Sequence, residues 1–167
     1  EKAKADKETL IAQSREQSRL ATDHYSEIVQ KYKKFERTDE VLYFLGHNLM
    51  ETGDERKSLV AYKRLIEKYP KSKYIPDAHL AFGEYYFNNS KGRKELVEKA
   101  LDSYKKAASY TDNQVYGYAM YKMGWGYFNL SDCNKSMDMF KSVVLYGRRA
   151  GEAAIEKGGA AKGGKAS

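Results

Sequence analysis

The stretch Met120-Tyr121-Lys122-Met123-Gly124-Trp125-Gly126-Tyr127 puts large residues at 120, 123 and 127, with a glycine directly after the second. Further along, Ser136 stands four residues before Phe140. The same order occurs twice more. It reads Leu42, Leu45-Gly46, Leu49 and then Ser58 and Tyr62; it reads His79, Phe82-Gly83, Tyr86 and then Ala100 and Tyr104. Large residues at three-and-four spacing fill one face of a helix, and a small residue four before an aromatic does so for a second helix. Recurrence of such a pair marks a repeat made of a helix, a turn and a helix.

The punctuation between these segments sets the boundaries. The first repeat spans 38–70, with a turn at Thr52-Gly53-Asp54. Gly53 suits the left-handed residue after a helix, and Asp54 can cap the next one. Pro70 closes the repeat, because proline cannot donate the next backbone bond, and Pro76 suits the start of the following helix. The second repeat spans 76–110 and is five residues longer between glycine and aromatic than its neighbours. Asn88–Arg93 has strong loop chemistry, so the extra residues are expected there. The third repeat spans 113–147, with its turn at Ser131-Asp132.

Residues 1–37 form an N-terminal helical region. Ala21, Tyr25, Ile28, Val29 and Tyr32 trace an amphipathic face, and Ala21 before Tyr25 echoes Ala100 before Tyr104. This helix reads as the second half of an earlier repeat, whose first half lies upstream or within residues 4–17. After Gly147 the pattern stops, and the Ala/Gly/Lys tail at 148–167 is expected to be disordered for want of large apolar groups.

Two prolines and 32% charged residues in 167 fit an all-α chain. A start at Glu1 rather than Met reads as a processed or excised fragment, and no run of about 20 apolar residues is present to cross a membrane. The single cysteine, Cys133, excludes an internal disulfide and a cysteine-based zinc site. His24, His47 and His79 lack a second ligand at metal-binding spacing, no phosphate loop follows a strand, and no nucleophile is paired with a base. Metal, cofactor and enzymatic roles therefore have no residues to carry them. Of the formal charge of +7, residues 148–167 supply +3 and residues 1–20 supply +1. The remainder is interspersed with acids, without the one-sided basic stripe that nucleic acid selects.

Over about residues 21–147 these motifs resemble the tetratricopeptide repeat family. The resemblance implies an all-α, right-handed superhelical stack of antiparallel helix pairs, an α-solenoid, and a non-enzymatic scaffold for protein partners. The linker Lys68-Tyr69-Pro70-Lys71-Ser72-Lys73-Tyr74-Ile75-Pro76-Asp77-Ala78 is similar to that of a bacterial cell-envelope subgroup. That subgroup includes the lipoprotein of the outer-membrane β-barrel assembly machine and the Tol–Pal-associated periplasmic protein. The likeness implies a periplasmic or outer-membrane-associated place; similar repeats also serve envelope complexes for motility and secretion.

In that family the first helix of each pair lines a concave groove. The corresponding face here carries Glu40, Tyr43, His47 and Met50, then Asp77, Leu80, Glu84 and Phe87, then Tyr118, Tyr121, Trp125 and Phe128. Aromatic and methionine side chains are favoured at interface hot spots, so an extended or helical partner segment is expected there, with Tyr121 and Trp125 as anchors. A clamp for a C-terminal carboxylate is not indicated, since Tyr43, His47, Ala81 and Tyr118 occupy its places and Lys122 alone is basic. The alternative is a basic module that meets nucleic acid or an anionic surface through the N-terminal helix and tail.

Overall fold

The computed structural model describes residues 2–163, with the side chains of residues 6–152. Every regular element among them is a helix: α1 (Lys2–Lys31), α2 (Thr38–Glu51), α3 (Glu55–Lys68), α4 (Ile75–Asn88), α5 (Lys94–Ala108), α6 (Val115–Asn129) and α7 (Cys133–Gly163). None is long and apolar enough to cross a membrane. The chain divides into two compact units, one ending at Phe82 and the other beginning at Gly83.

In the first unit α1 packs on α2 and α2 on α3. The α2–α3 turn forms as its residues dictate. Gly53 takes φ +86°, and the Asp54 carboxylate accepts from the Lys57 N–H at 3.3 Å. Leu42, Leu45, Tyr62, Leu65, Ile75 and Ala78 are buried together, and Tyr25, Ile28 and Val29 of α1 close over them. Full burial of a leucine such as Leu65 contributes roughly 2 kcal/mol. The linker is tied back by the Ser72 hydroxyl, which donates to Asp39 at 2.6 Å.

In the second unit α5 packs on α6 and α6 on α7. Val97, Ala100, Leu101, Tyr104, Ala119, Met120 and Met123 are buried. The turn before α7 repeats the earlier chemistry: Ser131 takes φ +62° and Asp132 accepts from the Lys135 N–H at 3.1 Å.

The recurring glycines mark the tightest packing in both units. A Cβ added at Gly46 would lie 2.8 Å from the Tyr62 ring, at Gly83 2.4 Å from Tyr104, and at Gly124 2.6 Å from Phe140. Glycine thus admits an aromatic ring where any side chain would collide. The small residues serve the same approach. Ser58, Ala100 and Ser136 are buried, and the Ser58 hydroxyl donates to the Gly46 carbonyl at 2.7 Å.

Three expectations change. Helix α1 is unbroken over 30 residues, so residues 4–17 form no separate antiparallel partner. The extra residues of the second repeat are not confined to the loop: α5 starts ten residues before Tyr104, whereas α3 starts seven before Tyr62 and α7 seven before Phe140. Part of the insertion therefore lengthens a helix, because Lys94, Glu95 and Leu96 form helix readily. Finally, α7 runs past Gly147 to Gly163, where disorder was expected from 148 onward. Its Arg, Ala, Glu and Lys residues are strong helix formers that outweigh the intervening glycines. Residues 164–167 of that tail lie outside the described residues.

Candidate functional site

Helix α6 carries the longest exposed aromatic row. Tyr118, Tyr121, Trp125 and Phe128 all face solvent, the last being 56% exposed. Successive ring centroids lie 6.1, 6.3 and 5.7 Å apart, with the Tyr121–Trp125 and Trp125–Phe128 pairs edge to face. That is the range in which aromatic pairs attract beyond their burial. Phe140 props the row from below, 5.9 Å from Tyr121 and 5.7 Å from Trp125. The bare backbone of Gly124 makes room for that same ring, so the repeat glycine indirectly sets the height of the aromatic face.

Beside the row, Lys122 is largely buried and pairs with the Glu84 carboxylate at 3.0 Å. The Tyr104 hydroxyl donates to the other oxygen of Glu84 at 2.8 Å. Burial pushes the Tyr104 phenol far above its ordinary range, and the adjoining Glu84 charge adds to the effect. The Lys122 ammonium also lies 4.8 Å from the Phe87 ring centre and 5.9 Å from that of Tyr118. The one cation on this face is therefore already matched, leaving little charge to hold a partner's carboxylate.

Within this unit Glu84, Phe87, Tyr118, Tyr121, Trp125 and Phe128 belong to α4 and α6, but only the α6 aromatics are freely exposed. The first unit holds Tyr43, His47, Met50 and Leu80. His47 is exposed, whereas Tyr43, Met50 and Leu80 are half-buried. Tyr43 stacks on Tyr74 of the linker at 4.3 Å with 12° between the planes, and it lies 6.4 Å from Tyr62. Burial raises both the Tyr43 phenol and the Asp77 carboxyl above their ordinary values. Tyr43 is therefore a packing residue more than a free contact, because a linker residue far away in sequence covers it.

One surface shares only Phe128 with the expected residues. An open hollow of about 700 Å³ lies along α6 and α7, floored by Phe128, Met137, Phe140, Val144 and Leu145. Phe128, Met137, Val144 and Leu145 stay 56%, 56%, 55% and 52% exposed. No described element covers them. Since Phe128 also ends the aromatic row, the hollow and the row are contiguous.

No curated protein matches the chain. The second repeat, with its longer glycine-to-aromatic spacing, falls outside the segments that match a family. Residues 40–72, spanning most of α2 and all of α3, and residues 118–146, spanning most of α6 and the first part of α7, match the tetratricopeptide repeat, a family of helical hairpins that mediate protein–protein interaction.

Proposed function

We propose that this chain is a non-enzymatic adaptor whose exposed α6 aromatics hold a segment of a protein partner. The observation that carries the reading is the row Tyr118–Tyr121–Trp125–Phe128, exposed yet held in place by Phe140. Rigid aromatics lose little rotamer freedom on binding and so make efficient anchors. The matching of Lys122 by Glu84 favours an apolar or uncharged partner segment over a free carboxylate terminus. His47, Met50 and Leu80 in the first unit, and separately Phe87 in the second, are further proposed contacts, with the Tyr43 ring 6.3 Å from that of His47. Resemblance of the Lys68–Ala78 linker to the envelope subgroup supports a place in a bacterial envelope complex for assembly, motility or secretion.

Affinity capture from the source cell, comparing the wild type with a Tyr121→Ala/Trp125→Ala variant of unchanged helicity, tests the reading. A protein retained by the wild type and lost by the folded variant is the expected result. Equal capture by both overturns the aromatic face as the recognition surface.

A further inference from the structure

The hollow on α6 and α7 differs from the aromatic row in one decisive respect. Its lining includes two charged side chains, Lys141 and Arg148, and both are basic. The Met137–Lys141–Leu145 row and the Phe140–Val144–Arg148 row each step by four residues, so they run side by side along α7. One cation thus lies midway along the apolar stripe and the other at its end. From Met137 to Arg148 the stripe measures about 16 Å, which is three turns of helix.

We propose that this hollow is a second docking site, filled by a three-turn amphipathic helix of a partner protein that carries carboxylates facing Lys141 and Arg148. The two cations stand seven positions apart on α7. A helix laid along the stripe meets both when its own acidic residues are seven apart and flank apolar residues at i, i+3, i+4 and i+7. A second copy of this chain is a poorer occupant. A symmetric contact would bring Lys141 and Arg148 against each other, with no lining carboxylate to offset them. A flat anionic membrane also fits less well, because the apolar residues line a concavity.

The test uses the whole chain and two fluorescein-labelled helical peptides followed by anisotropy. Both have an Ala/Gln background and Leu at i, i+3, i+4 and i+7. One carries two Glu seven residues apart, and the other carries Lys at those positions. The acidic peptide is expected to bind about tenfold or more tightly than the basic one, and rising salt should narrow the gap. Val144→Asp should abolish binding, and Lys141→Glu/Arg148→Glu should reverse the preference between peptides. Both variants alter exposed side chains, and circular dichroism checks their folding. Equal binding of the two peptides, failure of the acidic peptide to bind, or indifference to Val144→Asp overturns the proposal. Self-association in sedimentation velocity that Val144→Asp removes gives the hollow to a second copy and also overturns it. Binding to phosphatidylglycerol vesicles without peptide binding gives the hollow to a membrane and overturns the proposal as well.

Discussion

Gly83 lies so close beneath the Tyr104 ring that a Cβ on it would come within 2.4 Å of two ring carbons. Tyr104 is fully buried and anchored through its hydroxyl to Glu84, so the ring has little room to withdraw. Gly83→Ala should therefore destabilise the fold by about 1–3 kcal/mol, the usual cost of overpacking. Urea unfolding followed by helicity measures it. A double-mutant cycle with Tyr104→Leu should recover part of the loss, whereas strict additivity would break the proposed link between the two positions.

Gly147 and Gly53 should respond in opposite senses to each other. Gly147 lies inside α7 with open space where a Cβ would go. Gly147→Ala should stabilise by roughly 0.5–1 kcal/mol, because alanine forms helix better. Gly53 also has open space, but its φ of +86° strains any side chain. Gly53→Ala should cost about 1–2 kcal/mol. The pair separates backbone strain from crowding, since neither site offers a collision. Thermal or urea midpoints that move together would count against the distinction.

Burial raises the phenols of Tyr62 and Tyr104 far above the ordinary value near 10. The folded chain keeps both protons at a pH where the unfolded chain releases them. Their contribution is thus intact below about pH 10 and declines as the pH rises above it. Unfolding free energy measured from neutral to strongly alkaline pH should fall in that window. Tyr62→Phe should flatten the fall, and an unchanged slope would show that the buried phenol is not its source.

Cys133 is exposed at the start of α7 and borders the apolar hollow. It should react with Ellman's reagent in the folded protein without prior unfolding. Occupation of the hollow should slow that reaction. A rate limited by global unfolding, recognisable by its dependence on denaturant, would contradict the exposed placement.

Local chemistry was the most legible part of the sequence. Gly53-Asp54 and Ser131-Asp132 announce their turns, and the spacing from Gly46 to Ser58 and Tyr62 foretells a helical hairpin that closes on a ring. What escaped reading depended on contacts distant in sequence or on close competition. Nothing in Tyr43 shows that Tyr74 will stack over it. Lys94 and Glu95 are good helix formers, but no capping residue before them marks where α5 begins, so the insertion could not be divided between loop and helix. Past Gly147, the glycines mask the helix-forming Ala, Arg, Glu and Lys that outweigh them. Met137, Val144 and Leu145 show a helical period whether or not anything covers them.

The second and third repeats place different aromatics over their glycines: Tyr104 over Gly83 and Phe140 over Gly124. Both rings fill the same kind of space, but only the tyrosine reaches beyond it to Glu84, and through Glu84 to Lys122. Exchanging Tyr104 for Phe would thus keep a ring over Gly83 while removing the one oxygen that ties that interior packing to the Glu84–Lys122 pair.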